Sequence, residues 1–227
     1  VGSRNLKFPY QVKGFLLPSA SSCRDLGINV AADFSSHLHC RAICRTAHYK
    51  LRQFLRTFAC KDVQFLIFLF TTYIRPLLES NTSVWSPNGV GDVNLIERVQ
   101  RKFTKQLPGH HNMPYMDRLR ACGLDSLEAW RIYLDVVLLY KIVHGLIDIP
   151  FEKYFSFNNS CTRGHPFKLN VNFSRLDVRK YFFVNRVVTV WNNLPNNIIL
   201  ARSLVQFKKL LNNYDFSMYC RGSAYSA

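Results

Sequence analysis

The sequence predicts a mainly α fold, a helical bundle led in by a short β hairpin and strand piece, on three observations. Apolar residues recur with helical spacing in several separate segments after Asp33. Capping residues stand at the heads of most of those segments. Strand-like alternation is confined to the stretch before Asp33 and to a weak β pair expected near 163–175. The chain has 227 residues, 48% of them apolar and 18 of them Phe, which excludes a disordered class and supplies a sizeable core.

Taken in order, Lys7–Val12 and Phe15–Leu17, joined by Lys13-Gly14, read as a hairpin, and Leu26–Val30 as a further short strand. Ser35–Phe58 is a long first helix. Asp62 is expected to cap a second helix to about Leu78, which Pro76 kinks or ends. Its apolar run Val63–Ile74 is 12 residues, short of the roughly 20 a membrane-spanning helix needs, so it reads as a core helix. Ser83–Gly91 has turn chemistry, Asp92 is expected to cap the third helix, and Pro108-Gly109 to stop it. A short helix follows at Pro114–Ala121. Asp125–Glu128 is like a capping box heading a helix over Ser126–Val143, closed by Gly145. Residues 146–175 read as irregular, and the composition shift near 146–160 is the candidate domain boundary. Helices resume over about Val178–Asn192 and Ser203–Asn213, before a frayed tail. Val1–Tyr10 has no apolar signal region, and the chain opens within a strand-like stretch, so a fragment is expected.

Charge narrows the function. Lys and Arg number 30 against 14 Asp and Glu, a formal charge of +16, and such an excess draws polyanions. It is also organised. On the first helix, Arg41, Arg45, Arg52 and Arg56 fall within about a sixth of a turn at 100° per residue, and no acid occurs from 35 to 58. Cys40, Cys44, Ala47, Leu51, Leu55 and Phe58 lie on the opposite-leaning face. The third helix repeats the design, with Arg98, Arg101, Lys102 and Lys105 around an apolar stripe of Leu95, Ile96, Val99, Phe103 and Leu107. A purely solvated face normally relieves such repulsion with Glu. A membrane-surface role is disfavoured, because the apolar faces have many helices to pack on. Contact with nucleic-acid phosphates is the expectation.

Other candidates carry less. Seven cysteines, an odd number, form no regular framework, so reduced thiols in a cytosolic or nuclear, intracellular protein are expected. His37, His39, Cys40, Cys44 and His48 offer zinc-type ligands, but one straight helix aims only two of them at an ion, and Cys40 and Cys44 behave as apolar residues. His110-His111 reads as surface. Thr162–His165 is a weak anion-site signal. Trp85 and Trp191 are candidates to stack on bases, with Trp191 more naturally core. The acids are scattered with no adjacent Asp pair, whereas two-metal phosphoryl transfer needs carboxylates converging on ions about 4 Å apart. No catalytic residue, metal ligand or cofactor-binding residue is therefore expected in this chain.

An ordered set of signatures then carries a family resemblance: DLGINV (Asp25–Val30), FSSHL (Phe34–Leu38), YIRPLLES (Tyr73–Ser80) with Val84-Trp85, and IERVQRKFTK (Ile96–Lys105). After them come YMDRL (Tyr115–Leu119), LDSLEAWRIYLDVVLLYKIVHG (Leu124–Gly145), TRGH, FFVNRVVTVWNNLP (Phe182–Pro195) and FKKLL (Phe207–Leu211). In order and spacing they resemble the C-terminal part of a non-LTR, LINE-type retrotransposon reverse transcriptase of the jockey or chicken-repeat kind. The resemblance implies end-of-palm strands over 1–33, a helical thumb-like domain over 34–145, a C-terminal helical extension over 146–215 and a tail over 216–227. It implies RNA and RNA–DNA hybrid as partners, with target DNA a further candidate and no membrane. The fingers and palm, with the Mg2+-binding aspartates of the RNA-directed DNA polymerase, would lie upstream. No FADD or YADD motif stands in this sequence, so no catalytic residue carries over, and the chain alone is expected to be inactive. The rival readings are an inactive structural remnant and a stand-alone basic helical RNA-binding protein.

Overall fold

Residues 8–58, 62–158 and 165–222 are described by the structure, a computed structural model. The β piece comes first. β1 (Gln11–Val12) pairs antiparallel with β2 (Phe15–Leu16), and β3 (Ser22–Asp25) with β4 (Ile28–Ala31), as two separate two-stranded sheets. Both turns, Lys13-Gly14 and Leu26-Gly27, have positive φ at each residue, the geometry whose twist suits a hairpin. Gly takes that conformation without strain. Leu26, at φ 44°, holds one that costs an L side chain about 1–2 kcal/mol. Ile28 enters the first core beside the helices, while Phe8, Tyr10, Val12, Phe15 and Leu16 lie exposed. Lys7 lies outside the described residues.

The helices of the first half follow the apolar periodicity. α1 (His37–Thr57) is as expected to within a few residues. Asp62 caps α2 (Val63–Leu69), accepting from the Phe65 amide at 2.7 Å. The helix does not break at Pro76. It widens into a π turn at Phe70–Ile74 and continues as α3 (Arg75–Glu79), with Pro76 in the first turn, where a missing N–H is tolerated. The loop expected over Ser83–Gly91 contains a helical turn, α4 (Thr82–Trp85). α5 (Val90–Lys105) starts behind Gly89, so Asp92 sits in its first turn rather than at its cap. α6 (Tyr115–Cys122) and α7 (Leu127–Val143) complete this half. Ser126 caps α7, accepting from the Ala129 amide at 3.1 Å. Glu128 does not close a capping box: its carboxylate accepts from the amides of Arg221 and Gly222 at 2.9 and 2.8 Å, strapping the tail down.

The second half holds α8 (Phe151–Tyr154), α9 (Asp177–Lys180), α10 (Phe183–Asn192), α11 (Asn196–Ile199) and α12 (Leu204–Leu211), with a 3-10 turn at Ser217–Tyr219. The helix expected over Val178–Asn192 is thus split at Tyr181-Phe182. The β pair expected near 163–175 shrinks, among the described residues, to one antiparallel bridge between Phe157 and Leu169. The Asn158 N–H donates to the Lys168 carbonyl at 2.8 Å and the Asn170 N–H to the Ser156 carbonyl at 2.9 Å, and a side chain extends the pairing. The Asn192 amide accepts from the Leu169 N–H at 2.9 Å and donates to its carbonyl at 2.8 Å. Residues 159–164 of that segment lie outside the described residues.

Two apolar cores result. Cys40, Leu51, Ile74, Ile96, Phe103 and Leu127 belong to the first. From Ala129 onward α7 turns its apolar side to the second, against Trp191, Phe207 and Leu211. Each fully buried Leu, Ile or Phe contributes roughly 1.5–3 kcal/mol. The cores meet near the start of α7, and the segment 146–160 contributes Phe151 and Phe155 to the second. α7 thus serves both halves. Among the described residues no helix is long and apolar enough to cross a membrane.

Candidate nucleic-acid interface

α1 and α5 pack side by side and run parallel. His37 meets Asp92 at 2.6 Å at their N-terminal ends, and the Cys44 thiol donates to the Leu95 carbonyl at 3.6 Å further along. Cys40, Cys44, Ala47 and Leu51 face inward from α1, and Val93, Ile96, Val99 and Phe103 from α5, which turns the cationic stripes outward. Burial pushes the Cys40 and Cys44 thiols up to about 12, so both remain neutral core groups.

The eight predicted cations divide by environment. Arg41, Arg45, Arg52 and Arg56 are exposed, and none has a carboxylate partner among the described residues. Arg98 and Lys105 are exposed on α5. Arg41 and Arg98 line one shallow groove over the helix seam, beside the His37–Asp92 pair. Further along, burial, then the charges of Lys102 and Arg52, hold His48 below the ordinary imidazole range. Its Nδ1 is buried without a hydrogen-bond partner. The two ridges therefore border one seam at two points. From Arg41 to Arg56 the α1 ridge runs roughly 22 Å at 1.5 Å per residue.

Arg101 departs from the pattern. It is half-buried, with its guanidinium 4.6 Å from the centre of the Tyr115 ring. That ring belongs to a polar network beneath α5. The Tyr115 hydroxyl donates to Glu97, whose other oxygen accepts from the Leu127 amide at 3.0 Å. Gln100 donates to the Asp125 carbonyl at 2.8 Å, and Arg118 donates to the Thr104 hydroxyl at 3.1 Å and to the Met113 carbonyl at 2.6 Å. Burial pushes the Glu97 carboxyl up, against the hydrogen bonds and nearby arginines that favour its charge. The network fixes the rotation of α5 about its axis, and with it the direction of the ridge.

Sequence reasoning weighed His48 only as a zinc-type ligand and gave Tyr115 no role beneath the third helix. His48 falls at i+7 from Arg41, on the same face, and that spacing was its signal. Nothing local marks Tyr115 as the partner of a helix ten residues earlier. The Trp85 side chain does not stack on bases: it is 5% exposed, its indole N–H donates to the Ser80 carbonyl at 2.7 Å, and its ring meets His39 edge-on. Trp191 is fully buried. His111 is exposed and His110 half-exposed, its Nδ1 2.7 Å from the Pro108 carbonyl. Thr162–Gly164 lie outside the described residues, while His165 is buried with Nε2 3.0 Å from the Trp191 carbonyl. Among the described residues no group of His, Cys, Asp and Glu is placed to hold a metal ion.

No family model matches the chain. An uncharacterized protein of Caenorhabditis elegans is similar, with 26% identity over 129 residues, 56% of this chain and 65% of that protein. The chain thus spans somewhat less than two thirds of that relative. No solved structure matches.

Proposed function

We propose that this chain grips the sugar–phosphate backbone of RNA or an RNA–DNA hybrid without reading sequence, as the thumb-like and C-terminal part of a non-LTR retrotransposon reverse transcriptase. The carrying observation is the α1–α5 seam, where Arg41 and Arg98 border one groove and Arg52 and Lys102 both bear on His48. Guanidinium and ammonium groups so placed contact phosphates, displace counterions and set register while leaving base edges unread. A ridge of roughly 22 Å matches about six phosphates of one strand at 3.4 Å of axis each. An A-like hybrid, with its wide shallow minor groove, lets a helix flank reach both phosphates and 2′-hydroxyls. The Mg2+-binding aspartates of such a polymerase would come from an upstream palm. The exposed apolar residues of the β1–β2 hairpin fit a neighbouring layer of that kind, because a lone two-stranded hairpin is marginal in water.

The test is salt-titrated binding to RNA–DNA hybrid, duplex DNA and single-stranded RNA. With about six phosphate contacts, affinity drops on the order of 10³-fold between 50 and 200 mM salt. A flat salt response would exclude backbone binding. Equal affinity for hybrid and duplex DNA would retain the grip but remove the preference for A-like helices.

A further inference from the structure

A separate cavity lies where α7 meets α10. Its volume is about 440 Å3, and it opens between α7, α9, α10, the Ser86–Asn88 loop, residues 171–174 and the strapped tail. That volume is within the range of small-ligand pockets and is far too small for a duplex. Two carboxylates line it, and both are already committed. Asp135 accepts from Arg186 at 2.8 and 3.1 Å, and Glu128 accepts from the tail amides. The remaining charge is positive. Lys180 and Arg221 line the cavity with no carboxylate partner among the described residues, their charged ends 5.4 and 4.6 Å from the centre of the Tyr181 ring. Arg131 lines it from α7, 2% exposed, with neither Nη atom hydrogen-bonded.

A buried guanidinium without hydrogen bonds is costly, and its field acts through low-dielectric protein rather than water. Glu79 and Glu97 are within its electrostatic reach, yet Arg75 holds the first at 2.6 Å and Tyr115 the second. At the rim Phe173 is 94% exposed, an aromatic face held in water beside the cations. Cations for a phosphate next to a bare ring for a base describe one nucleotide unit.

We infer that this cavity binds a single phosphate-bearing nucleotide, with Lys180 and Arg221 holding the phosphate and Phe173 stacking the base. The nucleotide is either free or the 5′-phosphorylated end of a strand. The site shares no residue with the α1–α5 ridge and stands or falls separately.

The experiment titrates the whole chain with AMP, with a short single-stranded RNA carrying a 5′-phosphate, and with the same RNA ending in a 5′-hydroxyl. Wild type is expected to bind AMP, or the phosphorylated RNA at least tenfold more tightly than its hydroxyl twin, by about 1.4 kcal/mol per tenfold. The first outcome assigns a free nucleotide, the second a strand end. Lys180→Ala with Arg221→Ala should weaken that binding at least about tenfold. Thr189→Trp, at an exposed position on the wall, should abolish it by filling the space while leaving every cation in place. Arg41, Arg45, Arg52 and Arg56 changed together to Ser should leave AMP binding, or the preference for the 5′-phosphate, intact. Absence of both AMP binding and any 5′-phosphate preference overturns the site. So does binding that survives Thr189→Trp and the Lys180/Arg221 pair.

Discussion

The arginines of the α1–α5 flank and Arg186 at the α7–α10 junction have opposite fates. On the flank, Arg41, Arg45, Arg52 and Arg56 stand in water with no acid from 35 to 58 to meet them. At the junction, Arg186 spends its whole guanidinium. It donates to both oxygens of Asp135, to the Tyr181 carbonyl at 3.0 Å, and to the carbonyls of Thr82 and Ser83 at 3.2 and 3.1 Å, tying α10 to α7 and α4. Arg186 is thus a fastener, surrounded by a buried carboxylate and carbonyls, whereas the α1 arginines stay exposed cations where such partners are missing. Partner supply separates the two uses, not residue type or local charge density.

That contrast can be broken most sharply at Arg186. Arg186→Ala leaves Asp135 buried without its partner, and breaking such a pair costs about 3–5 kcal/mol. Urea unfolding should show it as a loss of that size, with the salt slope of nucleic-acid binding unchanged in the folded fraction. A loss under about 1 kcal/mol would mean the junction does not depend on this pair.

The flank should respond the other way. With Arg41, Arg45, Arg52 and Arg56 changed to Ser, hybrid affinity is expected to fall at least about tenfold and the salt slope to flatten by about 3–4. Unfolding free energy should move by no more than about 0.5 kcal/mol per site, as at ordinary surface positions. Unchanged affinity and slope would remove α1 from the interface.

Between these extremes lies Tyr115. Tyr115→Phe keeps the ring beside Arg101 but deprives Glu97 of its hydroxyl donor, an expected loss of about 1–3 kcal/mol in thermal or urea unfolding. A neutral result would show that the network does not hold α5.

His48 supplies a pH readout of the seam. Its folded pKa lies below the ordinary 6.5, so the unfolded chain binds the proton more readily, and the His48 contribution is lost as pH falls below 6.5. Stability measured from neutral to mildly acid pH should therefore fall less steeply in His48→Gln. An unaltered slope would mean that His48 is not desolvated between the helices. The smallest effect is expected at Leu26. Leu26→Asn suits the left-handed turn better and should stabilise by under about 1 kcal/mol, measured as a higher unfolding midpoint. Destabilisation would argue against that turn.

Much of the proposed interface was legible locally. Arg41, Arg45, Arg52 and Arg56 are neighbours on any helix through their segment, because a turn of 3.6 residues puts them there, and the same holds for Arg98, Lys102 and Lys105. Asp62 was legible as a cap for the same reason, since a cap acts within three residues. Asp92 and Glu128 were misread as caps because each found a stronger partner far along the chain, His37 and the tail amides. The weak β pair expected near 163–175 is, among the described residues, a single antiparallel bridge between Phe157 and Leu169, and the Asn192 side chain from another helix takes up the other backbone groups of Leu169.

Periodicity, capping and the absence of acids along α1 were sufficient to determine a helical chain with cationic stripes, since each depends on groups within a turn or two. Only tertiary packing decided that the stripes of α1 and α5 share one seam, that Arg101 turns to Tyr115, and that Arg131, Lys180 and Arg221 surround one cavity. The physical reason is range: a helix fixes neighbours three or four residues away, while these meetings join residues 14 or more positions apart, through cores that no local pattern encodes.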